Sequence, residues 1–199
     1  MKFISSSFLL LLALSPVCGF AQGRFMYGIN GGFNIGARYE VPESPGFSSY
    51  TTGKSIGLLA GIEIGYFDWH VGGLSVQALF DQRGYIKYGY ETLIDFIEIP
   101  ITIKVPVITH VWRVYLVAGP VVGVSEGFGI TDVGISGGIG FSHPLNKSAD
   151  IFLQVNYTYG LDDISGPFYY DLQQGSTYYR EYSRDIRIQF GILFGKKLK

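Results

Sequence analysis

Three histidines, His70, His110 and His143, are the side chains best suited to general acid–base work or to holding zinc. Each falls in a different short connection between apolar, alternating segments, with Trp69 and Trp112 beside two of them. Separate turns and aromatic neighbours predict histidines at a membrane interface, and no metal site is expected. A second acid-rich group, Asp162, Asp163, Asp171, Glu181 and Asp185, lies in or beside the stretch 162–184, which contains no histidine. The expectation there is a solvated loop face, so no catalytic residue is assigned. The glycine run from Gly134 to Gly140 has no helix after it to complete a phosphate cradle, so close packing is expected instead. No cofactor is implied.

The charges with a consistent placement are others. Glu63, Asp81 and Glu98 oppose Arg83, Lys104 and Arg187, and all six fall on the small or polar face of period-two segments. Charges on one enclosed face are costly unless paired. A salt-bridged plug is therefore expected, with Gln77, Gln154 and Gln189 filling between them.

The elements that position these residues are strands. From Tyr27 to Ala37 the odd positions are mostly large and apolar, and the even ones are glycine or asparagine. The same alternation recurs at 56–66, 74–86, 93–105, 133–142, 151–160 and 186–194, while 113–124 is apolar on both faces and resists phasing. Eight segments of this length each suit a tilted strand crossing a bilayer. Three connections, 68–72, 106–112 and 143–149, are short, and two of the remainder, 40–54 and 162–184, are long. Short turns and both termini at one end, with long loops at the other, is the layout of an outer-membrane barrel.

Composition agrees. The 199 residues carry 15 Lys+Arg against 16 Asp+Glu, so nothing points to nucleic acid, and 47% hydrophobic residues with 28 glycines is unusual for a water-soluble surface. No uninterrupted apolar run long enough for a helical span follows residue 21. Residues 1–21 read as a secretory signal, with Lys2, an apolar stretch from Phe8 to Leu14 and Gly19-Phe20-Ala21 as the cleavage site. The single cysteine, Cys18, falls inside it, so residues 22–199 form one domain without thiols.

Alternation alone does not say which face meets which solvent. An eight-stranded barrel has an interior just wide enough for side chains; the bulky apolar set overfills it, whereas the Gly-, Ser- and Asn-rich set fits. The large set therefore faces lipid, and Tyr66, Phe67, Trp69, Tyr88 and Trp112 fall near strand ends, where an aromatic girdle belongs.

Glu98-Ile99-Pro100-Ile101-Thr102-Ile103-Lys104 followed by Ala118-Gly119-Pro120 resembles the signature of the PorT-like outer-membrane β-barrel family of Bacteroidota. Gly31-Gly32-Phe33-Asn34 and Gln82-Arg83-Gly84 resemble that family's opening and third strands. The resemblance implies an eight-stranded outer-membrane barrel, with some relatives linked to type IX secretion or gliding, and it transfers no catalytic residue. Physically, Pro100 cannot donate to a strand ladder, so a bulge or a missing bond is expected at it.

The expectation is a closed, eight-stranded, antiparallel up-and-down transmembrane barrel in the outer membrane, with termini and short turns periplasmic. It is expected to be non-enzymatic, with a plugged lumen, lipid around it and envelope or secretion proteins as partners. Oligomeric state is not legible. Phe168, Tyr169, Tyr170, Tyr178, Tyr179 and Tyr182 in the longest loop are the candidate recognition residues, because rigid amphipathic rings suit interfaces. The alternatives are an accessory barrel of a secretion or gliding machine, a lipid-modifying surface enzyme and a soluble lipocalin-like carrier.

Overall fold

The computed structural model describes residues 23–42, 48–68, 70–109, 112–125, 129–164 and 179–197. They form β1 (Arg24–Pro42), β2 (Tyr50–Thr51), β3 (Gly53–Asp68), β4 (Gly72–Lys87), β5 (Tyr90–Thr109), β6 (Arg113–Ser125), β7 (Thr131–Pro144), β8 (Ala149–Gly160) and β9 (Tyr179–Lys197). Each long strand pairs antiparallel with the next, and β9 pairs back onto β1, so the sheet closes into a ring of eight. The two-residue β2 pairs with the end of β1, as an extension of β3 past Thr52. Residues 1–21, expected from the sequence to be a secretory signal and including Cys18 and Ala21, lie outside the described residues.

The registers fix the tilt. A walk around the ring from Tyr27 through Ile64, Val76, Ile101, Pro120, Ile135, Tyr159 and Arg184 returns to β1 at Ala37, ten residues beyond its start. Ten residues of stagger over eight strands gives a tilt of about 40°. This lies in the range of barrels that cross membranes.

The faces then follow from the pleat. Ile29, Ile56, Leu58, Ile62, Ile103 and Phe190 point outward and are more than half exposed, while Asn34, Glu40, Asp81 and Glu98 point inward with no exposed surface. On β1 the outward apolar set runs from Phe25 to Ile35, a band about 25 Å tall at this tilt. β6 takes its phase from Tyr115, Val117 and Val121, which are buried inside, so its lumen face is apolar and its alternation is hidden.

Three expectations are corrected. The connection after β4 is a tight turn at Tyr88–Gly89, both with positive φ (53° and 83°), so Tyr88 tops a hairpin and is not part of a girdle. The stretch 162–184 is loop for only part of its length, because β9 begins at Tyr179 and makes Glu181, Tyr182 and Asp185 strand residues. Phe67 turns inward, where it clusters with Met26, Phe152 and Leu193 at the short-turn end of the lumen.

The apolar band is shared by all eight strands of the ring, but β1, β4, β5 and β9 run further at the long-loop end than β6, β7 and β8. Together they raise a collar on one side of the mouth.

Candidate functional site

The alternating inward positions build a stack of polar tiers. At its centre Asp81 and Arg83 from β4, Glu98 from β5 and Arg187 from β9 meet. Arg83 Nε lies 3.2 Å from Asp81 Oδ2, and Arg187 Nη2 lies 3.1 Å from the same oxygen and 2.6 Å from Glu98 Oε2. Arg83 also pairs closely with Glu98 and with Asp132, and Asn34 donates to Asp81 at 2.8 Å. Asp185 completes the tier, 3.5 Å from Arg83. These groups hold the charge in place, since each guanidinium faces several carboxylates in a region closed to water.

Glu63 and Lys104 do not join this tier. They pair with each other nearer the short turns, where Gln77 donates to Glu63 at 3.0 Å and the Lys104 ammonium lies over the rings of Tyr115 (5.4 Å) and Phe152 (5.6 Å). The glutamines form a network that joins the lower level through Glu63. Gln189 donates to Gln77 at 3.4 Å and accepts from Gln154 and Asn156 at 3.2 Å, and Tyr115 donates to Gln154 at 3.1 Å.

Toward the long-loop end a further tier holds Arg38 against Glu181, and Lys87 against Glu40 at 2.9 Å and Glu181 at 3.5 Å. Tyr50 donates to Glu40; partial burial and then this hydrogen bond raise its phenol above the ordinary value. Between the tiers, Tyr85, Ile94, Phe96, Ile130 and Ile164 form an apolar seal. At the opposite end Arg113 pairs with Asp150 at 2.9 Å.

Sequence reasoning placed Glu181 and Asp185 on a solvated loop face; both are inward and buried. It did not find Arg38, Glu40, Lys87, Asp132 or Asp150. The available signal was the alternation itself, continued beyond the apolar segments: Asp132 and Asp185 each stand one residue outside a recognised stretch and in phase with its polar face.

The motif residues share one patch of wall. Glu98, Pro100 and Lys104 all face inward on β5, and the register passes Pro100 unchanged, with Val76 opposite Ile101 and Leu79 opposite Glu98. Gly119 lies against Ile101, where a Cβ would overlap the Ile101 carbonyl oxygen, and Pro120 faces out. Phe168, Tyr169, Tyr170 and Tyr178 lie outside the described residues, as do Trp69 and His110. Of Tyr179 only its backbone pairing with Pro42 is described. Tyr182 sits on the outer wall beside Arg184. His143 stacks on Trp112 at 4.6 Å at the short-turn end. Among the described residues, no three His, Cys, Asp or Glu side chains are placed to hold a metal ion.

No protein-family model matches the chain, and no curated protein does. Solved structures of similar shape include Neisserial surface protein A, at 15% identity over 85% of this chain and 96% of that one, with a TM-score of 0.49. The N-terminal β-barrel domain of Pseudomonas aeruginosa OprF aligns at 14% identity over 85% and 99%, with a TM-score of 0.47. Ail, the attachment invasion locus protein of Yersinia pestis, aligns at 14% over 85% and 99%, with a TM-score of 0.43. The description of this chain as a closed barrel rests on its own ring of strand pairings.

Proposed function

We propose that this chain is an integral outer-membrane barrel with a sealed lumen, serving the envelope as a structural or interaction protein and not as an enzyme. The observation that carries it is the pairing of a closed backbone ring with inverted faces. Isoleucine, leucine and phenylalanine lie outside around the whole wall, and buried ion pairs fill the inside. A closed ring leaves no backbone donor unpaired in hydrocarbon, and lipid solvates the outer side chains. A soluble carrier needs the reverse, an apolar interior for its ligand. The termini, with Arg24 paired to Lys197, share one end with the connections that follow β3, β5 and β7, and in this reading that end is periplasmic.

Electrophoresis of detergent-extracted envelope with and without boiling, together with protease treatment of intact cells, tests this. The expected result is faster migration unheated, with cleavage confined to 43–49 or 161–178. A soluble protein whose migration ignores heating would overturn it.

The likeness of the 98–104 and 118–120 motifs to the PorT-like family supports a narrower reading, an accessory barrel of a secretion or gliding machine, with the aromatic stretch around Phe168–Tyr178 as its contact. Crosslinking in intact cells should then capture an envelope protein that is lost when 166–180 is replaced by a short Gly-Ser loop. Unchanged capture would count against that contact.

A further inference from the structure

Arg184 on β9 faces outward, away from the lumen charges on either side of it in sequence. In the walk around the ring it stands seven strands from Tyr27, near the top of the apolar band. The outward pair Gln82 and Asp95, hydrogen-bonded at 3.1 Å, interrupts the outward apolar side chains of β4 and β5 at a similar level, below Ile86 and Leu93 of the collar. An arginine at that level meets lipid headgroups, not acyl chains.

Its surroundings are built. The guanidinium carbon lies 3.6 Å from the centre of the Tyr159 ring, 5.4 Å from Tyr39 and 5.8 Å from Tyr182. Nη1 donates to the carbonyls of Gly160 at 3.0 Å and Ser183 at 2.6 Å, which fixes the plane of the group. Among the described residues, no carboxylate lies within ion-pair distance of it. That sets it apart from the lumen cations Arg38, Arg83, Lys87, Lys104 and Arg187, each of which faces an acid.

A second cation stands close by. Ala37 pairs with Arg184 on one side of β1, and on the other Gly36 pairs with Ser55, next to the outward Lys54. Two strand spacings put Arg184 and Lys54 about 10 Å apart on the same wall. Between them stands Ala37, whose methyl is buried at 7% exposure, so a phosphate that bridges the two cations lies over the wall and not in a gap at Ala37.

We propose that Arg184, with Lys54 across β1, holds the phosphate of a lipid headgroup in the leaflet around the long-loop end. This rests on the membrane placement proposed above. Arginine binds phosphate through parallel N–H donors. The tyrosine rings cover part of the guanidinium and hold it at the wall, and its remaining N–H donors face outward. The partner is the bilayer itself, bound at a defined point on the wall.

Native mass spectrometry of the detergent-folded protein, titrated with bisphosphorylated lipid A and separately with its dephosphorylated form, tests the assignment. The unmodified chain should retain one phosphorylated molecule, Arg184→Gln should lower its occupancy about tenfold and Lys54→Gln less. Arg184→Lys should retain part of it, which separates a lost charge from a damaged wall. Equal retention of the two lipid forms, or of one form by wild type and Arg184→Gln, would overturn the proposal. Complete displacement by inorganic phosphate at stoichiometric levels would overturn it too, by making this a small-anion site. Heat-modifiable migration is recorded for every variant: its loss from the unmodified chain defeats the barrel reading, and its presence with no lipid selectivity defeats only the headgroup site.

Discussion

Arg83 and Arg187 enter the lumen from β4 and β9 and share the same two carboxylates, Asp81 and Glu98. Two guanidinium groups this close repel unless acids stand between them, and Asp132 and Asp185 add to that screen. Removing one member leaves charges buried and unmatched. Arg187→Met should therefore destabilise the barrel by about 3–5 kcal/mol, read as a lower urea midpoint in detergent. The double change Arg187→Met with Glu98→Gln should recover much of that loss, since it removes a matched pair. A single variant as stable as wild type would show that the lumen is hydrated enough to solvate the orphaned acids.

Gly119 and Ile101 support a second test. Replacing Gly119 by alanine puts a methyl where the Ile101 carbonyl oxygen stands, and backbone, not a flexible side chain, must move. This part of β5 already lacks the Pro100 N–H. Gly119→Ala should cost about 1–3 kcal/mol, as overpacking does, and slow the conversion to the fast-migrating folded form. Gly137→Ala is the control, because a Cβ there meets only the Val117 carbonyl oxygen at 3.9 Å. Equal effects at the two glycines would remove the close approach as the cause.

How far the fold was legible follows from where alternation is clean. Ile97, Ile99, Ile101 and Ile103 against Glu98 and Lys104 give the faces of β5 at a glance. β6 does not, because Tyr115, Val117 and Val121 close the lumen with apolar groups, and both of its faces look alike in sequence. Strand ends failed for a different reason: beyond the apolar band the outer face is no longer apolar, so Arg180, Tyr182 and Arg184 read as loop although their ladder with β1 continues. The lumen ion pairs Arg38–Glu181 and Lys87–Glu40 lie at those ends and were missed for this reason. Pairing partners such as Asp132 with Arg83 come from strands far apart in sequence, and only the register brings them together.

The assignment of faces is testable with charge. Ile99 is half exposed on the outer wall near the middle of the apolar band, and Leu93 faces the same way on the collar. Lysine at 99 should cost about 2–4 kcal/mol in a bilayer, and lysine at 93 about 0–1. Folding yields into lipid vesicles measure the difference. Equal tolerance at both sites would mean that no hydrocarbon surrounds Ile99.

The hairpin tip allows a prediction of opposite sign. Tyr88 is the only described residue other than glycine with positive φ, at 53°, and it is 87% exposed, with Gly89 following at φ 83°. A two-residue turn of this hand favours Asn-Gly, because asparagine tolerates the left-handed region that costs a tyrosine energy. Tyr88→Asn should stabilise the hairpin by about 1 kcal/mol, seen as slower amide exchange at Lys87 and Tyr90. Gly89→Ala should do the reverse. A gain from losing an exposed aromatic would mean that the tyrosine is not there for the fold. With Tyr90 beside it, 79% exposed, it presents an aromatic pair beyond the mouth, where strain tends to mark contact with a partner. If Tyr88→Asn instead loosens the hairpin, the ring packs in solution and its presence is explained by structure alone.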